Sequence, residues 1–317
     1  MSTNNTLAVI ALGGNAIIPH GDGGSFASQF ANTEESMGPV ADLLKAGYNL
    51  ILTHGNGPQV GALMLQSEMA KEKVPEIPLN VADAMTCGSM GYMLEQALTN
   101  AMAERAVSRQ AVTIPAQIVV DPDDPAMTAP SKPIGPFYPK EEAESLASEK
   151  GWVVKEDANR GYRRYVPSPY PVEVVEKAVV LHLVENGYVV ITGGGGGIPV
   201  TRRRDGSLAG VDAVIDKDLA SMKIGLEVGA RLLIIITGVP KVTINFGTPE
   251  ETALDRITLN EARRYAKEGQ FPPGSMGPKI RAAIEFVEAN PGNRVVITDV
   301  QNVKEAVEGT QGTWITA

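Results

Sequence analysis

At 317 residues with 43% hydrophobic side chains, the chain carries enough apolar mass for one large α/β unit or two lobes, and its composition argues against disorder. A net charge of -9 would be repelled by a nucleic-acid backbone or an anionic membrane, so neither is expected as a partner. The single cysteine, Cys87, allows no intrachain disulfide and fits a reducing compartment. No run of about 18 apolar residues appears and the first residues lack a basic stretch before a cleavable apolar one, so a cytosolic protein is expected.

The apolar runs TLAVIAL, YNLILT, AVTIPAQIVV, YVVIT, RLLIIIT and RVVIT are short and β-branched, which predicts strands. Helical spacing falls between several of them, at about 33–46, 58–73, 82–106, 172–186, 213–228, 258–268 and 276–289. Strands alternating with helices predict a mainly parallel sheet. Residues 121–171 break the rhythm with prolines and aromatics, and a stretch of that length predicts a small subdomain or lid. The rival expectation is a surface excursion packed by Trp152 and its tyrosines.

Four expected strand ends carry glycine or a small polar residue: ALGGNA (11–16), THGNGPQVG (53–61), ITGGGGGIPV (191–200) and ITGVP (236–240). In open α/β sheets ligands bind at the carboxyl ends of strands, where helix N-termini offer unpaired N–H groups. The glycine run 193–197 suits either an anion site or a tight structural turn, because a residue without Cβ reaches positive φ and lets backbone approach closely. GNGPQVG approximates a dinucleotide fingerprint but misses its spacing.

Other chemistries lack their residues. No P-loop signature occurs, and CGSMG and PGSMG lack the glycine two places before serine that a nucleophile elbow needs. The histidines His20, His54 and His182 are spaced unlike a zinc cluster, and His182, within an apolar helix, is expected to be a packed neutral imidazole. Lysines say more. Lys217 lies between Asp216 and Asp218 at an expected helix start, where it is either a ligand-facing cation or a solvated neighbour of a capping aspartate. Lys279 follows Gly277 and Pro278 at another helix start, where it opposes the dipole unless an anion lies there. Lys132, in SKPIG, is a cation on a backbone turned by Pro133 and Gly135.

Taken in order, ALGGNA, THGNGPQVGAL, the PSKPIG segment, DANRGYRRYVPSP, GGGGGIPV, GVDAVIDKDLAS and FPPGSMGPK resemble the carbamate kinases of the amino acid kinase family, from the first strand to the C-terminal GTWI. The resemblance implies a three-layer αβα sandwich around an eight-stranded, mostly parallel sheet with a small protruding subdomain at about 121–170. It implies an N-terminal acceptor lobe at about 1–209 and a C-terminal nucleotide lobe at about 210–317. The implied reaction is carbamoyl phosphate + ADP = ATP + carbamate, ATP-forming in arginine or carbamoyl-nitrogen catabolism, with Mg2+ held mainly by nucleotide phosphates, no protein metal cage, and a homodimer.

Carried over residue by residue, Lys217 and Lys279 would contact phosphates, and Asp218, with Asp216 as a second candidate, would hold those lysines. Gly13, Gly14, Asn15, Gly55 and Asn56 would form an N–H cradle, and Lys132 would close over the acceptor. Gly194, Gly195 and Gly196 would be a close-approach wall beside the carbamate, with a lobe hinge as the second reading. The nucleotide would meet Asp216, Lys217, Thr237, Gly238, Gly274, Ser275, Met276 and Lys279. Two departures stand out: Ala11 occupies the place where many relatives in the wider family have a lysine, and no tyrosine lies near Thr243. A sibling kinase acting on an amino-acid carboxylate and a silent nucleotide-binding relative are the alternatives.

Overall fold

The computed structural model describes residues 6–14, 17–18, 24–156 and 161–317. Its first part runs β1 (Leu7–Leu12), α1 (Phe26–Lys45), β2 (Asn49–His54), α2 (Gly57–Ala70), α3 (Leu79–Glu104), β3 (Ala111–Ile114) and β4 (Gln117–Val120). The middle holds β5 (Lys132–Tyr138), α4 (Lys140–Lys150), β6 (Val153–Glu156), β7 (Tyr162–Val166), β8 (Pro171–Val174), α5 (Lys177–Glu185), β9 (Val189–Thr192), β10 (Ile198–Arg202) and β11 (Leu208–Gly210). The last part holds α6 (Lys217–Glu227), β12 (Leu232–Ile236), β13 (Thr243–Ile244), β14 (Thr252–Ala253), β15 (Arg256–Thr258), α7 (Leu259–Lys267), α8 (Met276–Ala289), β16 (Arg294–Thr298), α9 (Val303–Val307) and β17 (Thr313–Thr316).

Eight strands form the central sheet in the order β15-β17-β16-β12-β1-β2-β9-β3. Every pairing in it is parallel except β16 with β17. Because side chains alternate along a strand, the sheet sorts its residues into two cores. Val9, Ile51, Val190, Leu233 and Ile235 join the core that holds Met222 of α6 and Phe286 of α8. Their neighbours Ile10, Leu52, Ile191, Leu232 and Ile234 join the opposite core, with Val40 of α1 and Leu98 of α3. Burial on both faces explains why these strands read as continuous apolar runs, and it makes the αβα sandwich.

Several features depart from expectation, α1 for instance starting at Phe26 rather than 33 and α6 at Lys217 rather than 213. AVTIPAQIVV is two strands: Pro115 lacks an N–H to continue the ladder, so β3 stays in the central sheet and β4 pairs with β10 and β8 in a second one. The helix expected at 172–186 starts only at Lys177, because β8 takes residues 171–174. His182, expected to be packed, is exposed on α5.

The segment at 121–170 has its own architecture, an antiparallel sheet β5-β7-β6 beside α4. Trp152 packs it together, 6.4 Å from the Tyr138 ring and under the Arg164 guanidinium at 4.7 Å. A cavity of about 580 Å3 lies between this subdomain and α2, lined by Glu68, Tyr138, Trp152 and Arg164, and contains none of the expected site residues.

Candidate active site

The four glycine-bearing strand ends belong to β12, β1, β2 and β9, which are consecutive neighbours in the sheet, so the chain brings them to one edge. Gly13 follows β1 so closely that a Cβ there would lie 2.8 Å from the Ile236 carbonyl oxygen at the end of β12. Gly55 follows β2, with its N–H donated to the Leu12 carbonyl at 3.1 Å. A Cβ on Gly55 would meet the Lys217 side chain at 3.4 Å and the Gly14 backbone nitrogen at 3.7 Å. Gly13, Gly14, Gly55 and the stem of Lys217 are therefore in one place. Asn15 lies outside the described residues.

Lys217 is the first residue of α6, and the cap of that helix is Asp216, whose Oδ1 accepts from the backbone N–H groups of Asp218 and Leu219. Both expectations for this motif hold a part: the aspartate caps, but the lysine is partly buried rather than solvated. Asp218 binds Lys217 through Oδ1 and accepts from Lys279 Nζ through Oδ2 at 3.2 Å. Burial would raise the Asp218 carboxyl, but the two ammoniums outweigh it and hold it at about 2. The same burial lowers Lys217 from the usual lysine range, with Asp218 opposing that and Lys279 adding to it. One carboxylate thus holds two cations side by side.

Asp216 adds a smaller favourable charge to Lys217 and also faces the subdomain. Its Oδ2 accepts from Lys132 Nζ at 2.7 Å, which ties the start of β5 to the start of α6. It contributes nothing to the lining of the second large cavity, about 560 Å3, which is enclosed by Thr237, Gly238, Phe246, Ser275, Met276 and Lys279 among others. Lys217 and Gly274 are likewise not part of that lining. Lys279 is the link, since it lines the cavity and also touches Asp218. Phe246 is 70% exposed at the cavity's edge, and the composition of its loop gave no sign of a binding role.

The glycine run is buried throughout and closes two tight turns, Gly196 N–H to the Gly193 carbonyl and Gly197 N–H to the Gly194 carbonyl, with Gly195 at φ +67 between them. Here glycine is required by the protein itself: Gly196 has φ +99, and a Cβ on it would lie 2.1 Å from the Ile215 carbonyl oxygen. A Cβ on Gly195 would lie 2.2 Å from Asn56 Nδ2, and one on Gly194 would lie 2.3 Å from His54 Nε2. The run therefore backs the β2–α2 loop from behind.

Sequence reasoning passed over the polar cluster in front of that run. His54 is buried, and burial, with a smaller repulsion from Lys217, brings its imidazole down to about 4, so it is neutral at pH 7. Its Nδ1 lies 3.2 Å from the Gly55 carbonyl oxygen, a contact only a protonated nitrogen satisfies, which leaves Nε2 bare. Cys87 donates to the Gly194 carbonyl at 3.0 Å, and burial pushes its thiol up to about 12. Asp83, fully buried on α3, accepts from Asn56 Nδ2 at 2.8 Å, and burial raises its carboxyl to about 7. The folded chain therefore keeps a proton there that an unfolded chain releases near 3.8; the stability this contributes is full below 3.8 and lost as pH rises through about 7.

A family model described as the amino acid kinase family matches residues 6–299. The carbamate kinase of Thermococcus kodakarensis is 49% identical over 310 residues, covering 97% of this chain and 98% of that relative. Carbamate kinase 2 of Enterococcus faecalis is 45% identical over 314 residues, covering 98% of each. Among solved structures, the carbamate kinase from Giardia lamblia bound to AMP-PNP superposes with a TM-score of 0.92 at 42% identity, covering 99% of both chains.

Proposed function

The chain belongs to the amino acid kinase family, within its carbamate kinases, and from that premise we propose how its own residues divide the work of moving a phosphoryl group between carbamoyl phosphate and ADP. The observation that carries the reading is the Lys217–Asp218–Lys279 cluster, set between the glycine edge of the sheet and the 560 Å3 cavity. Phosphoryl transfer asks for alignment and for charge to be offset on the equatorial oxygens, and needs little covalent help. Two ammoniums held in register by one buried carboxylate suit that task.

The nucleotide occupies the cavity at Thr237, Gly238, Ser275, Met276 and Lys279, with the exposed Phe246 ring available to an adenine. The AMP-PNP named for the Giardia structure supports a nucleotide for this chain as well. All of that lining lies between residues 237 and 279, which favours a nucleotide lobe at about 210–317 and an acceptor lobe at about 1–209. Gly13, Gly14, Gly55 and Asn56 form the acceptor side, with the N-terminus of α2 directly behind Asn56. Gly194, Gly195 and Gly196 support that side through Asn56 and His54.

Mg2+ enters with the nucleotide. Asp218, the carboxylate nearest the transfer point, has both oxygens taken by lysines, and among the described residues no group of three His, Cys, Asp or Glu side chains gathers into a cage. When bound to the phosphates, the ion offsets part of their charge. The protein's own share is the two lysines and the backbone N–H groups.

Lys132 is the acceptor-side cation. It reaches α6 from the subdomain through Asp216, so the subdomain and the capped helix meet at the substrate. Lys132→Ala should raise KM for carbamoyl phosphate at least tenfold, consistent with losing a charge-assisted contact, while calorimetry finds ADP affinity within about twofold. An equal loss of ADP affinity would remove Lys132 from this role.

A homodimer is supported by an apolar face: Val81, Met85 and Tyr92 on α3 are exposed along one side, with the Tyr92 ring edge-on to Phe30 of α1. Sedimentation equilibrium should give twice the chain mass, and a monomer at micromolar concentration would contradict it. Among the described residues no helix is long and apolar enough to cross a membrane; a reducing cytoplasm is the compartment that suits the free thiol of Cys87. Running toward ATP fits carbamoyl-nitrogen breakdown. The test of the reaction is a coupled assay on the purified chain: ATP from carbamoyl phosphate plus ADP is expected. ADP release from ATP with glutamate or acetylglutamate, without that ATP formation, would favour the sibling carboxylate kinases.

A further inference from the structure

Asn56 precedes α2, where an asparagine ordinarily caps the helix with its side chain. It makes no such bond here. Its Nδ2 instead donates to Asp83 Oδ1 at 2.8 Å and to Thr86 Oγ1 at 2.9 Å, so both amide hydrogens are spent on α3. The Thr86 hydroxyl lies 3.0 Å from the Ala82 carbonyl and 2.9 Å from the Asp83 carbonyl, so its own hydrogen points back into the helix and its lone pairs face Asn56. A flipped amide would set Oδ1 against a carboxylate oxygen, which fixes the orientation. On the other side the amide packs into the space a side chain at residue 195 would need, since a Cβ on Gly195 would sit 2.2 Å from Nδ2.

Asp83 has no comparable reward for itself. Its Oδ2 is buried and has no hydrogen-bond partner. The ionisable groups packed around it are Cys87 on its own helix, held as a thiol, and His54 beyond Gly194, which is neutral. A half-satisfied carboxyl in such a site costs stability, and an apolar side chain would pack there more cheaply. What the position gains is an acceptor aimed at Asn56.

We propose that Asp83 is a positioning residue for phosphoryl transfer: together with Thr86 it locks the Asn56 amide and so sets the Gly55–Asn56–Gly57 backbone that faces Lys217. This rests on the reading that Asn56 belongs to the acceptor cradle. The geometry assigns the effect to placement of the acceptor rather than to nucleotide affinity, because the nucleotide cavity lies on the far side of Lys279 and includes no residue of α2 or α3. Protonation at Oδ2 leaves Oδ1 as acceptor but turns a charge-assisted bond into a neutral one, and burial brings that titration to about 7.

The test compares Asp83→Leu, Asp83→Asn and Asn56→Ala with the wild-type chain. Asp83→Leu should lower kcat by about 10- to 100-fold, the scale on which misplaced groups act, with KM for ADP within about twofold. Asp83→Asn keeps an acceptor oxygen and should hold kcat within about threefold, while its thermal midpoint gains on wild type as pH rises from 4 to 8. In 15N NMR the Asn56 side-chain amide should shift between pH 6 and 8 in the wild type and stay fixed in Asp83→Asn. Asp83→Leu with wild-type kcat beside an impaired Asn56→Ala would overturn the inference, as would Asp83→Asn impaired as badly as Asp83→Leu. If Asp83→Leu does not fold, an Asn56 amide insensitive to pH in the wild type decides against it. Wild-type kcat in Asn56→Ala would instead refute the cradle reading beneath it.

Discussion

Lys217→Ala is expected to lower kcat by about 10²–10³, the loss typical of removing a pre-organised electrostatic donor from a water-excluded site. The Lys217 ammonium is held by Asp218, its stem lies against Gly55, and the Gly14 backbone borders the same space. Among the described residues the neighbouring cations are engaged differently: Lys279 reaches Asp218 from the nucleotide side and Lys132 is engaged by Asp216. Because Lys217 does not line the nucleotide cavity, KM for ADP should change far less than kcat. Arginine should not rescue, since a planar guanidinium presents its donors in a fixed fork rather than as the compact ammonium that Asp218 holds here. An unchanged kcat in a variant with native circular dichroism would falsify the assignment.

Asp218→Asn is expected to cost about 3 kcal/mol of stability, because it leaves two partly buried ammoniums facing each other without their shared anion. The Asp218 side chain is only 4% exposed, so water does little to compensate. The pH dependence has a definite sign. Asp218 titrates at about 2 in the fold and at 3.8 when unperturbed, so its contribution is present above 3.8 and lost as pH falls through about 2. The gap between wild type and variant should therefore narrow in acid. Polyphosphate ligands should narrow it too at neutral pH, since they return negative charge to the lysines. Urea unfolding at pH 7 with and without ADP measures both effects. A variant within about 0.5 kcal/mol of wild type would mean that the lysines do not depend on this carboxylate.

Much of the site could be read along the chain because its parts sit at strand ends, where glycines and caps leave local marks. The DKD motif told of a capped helix, and the burial of Lys217 follows from β2 lying beneath it, which spacing alone does not report. The second partner of Asp216 left no local mark for a related reason: Lys132 lies 84 positions away, in a subdomain whose docking the sequence does not describe. Pro115 marked the break in AVTIPAQIVV, yet which sheet each half joins depends on the partners β9 and β10. Residues 140–150 form α4 although KEEAESLASEK carries almost no apolar stripe, and only Ala143 in it is buried. The glycine run invited a ligand contact, whereas its Cβ directions are filled by Ile224, His54, Asn56, Ile215 and Ile118. Asp83 was invisible for the opposite reason, as one acid within a helix whose importance depends on what it faces.

The account rests on Lys217 and Lys279 converging on the transferred phosphoryl group while Asp218 holds them. The most direct measurement is a crystal structure of the chain with ADP, Mg2+ and aluminium fluoride, a mimic of that group in flight. The expected result places the fluorides within about 3 Å of Lys217 Nζ and Lys279 Nζ, with the adenine beside Phe246 and Asp218 still bound to both lysines. A mimic seated away from Lys217, or an Asp218 that has left the lysines to ligate the metal ion, would contradict it.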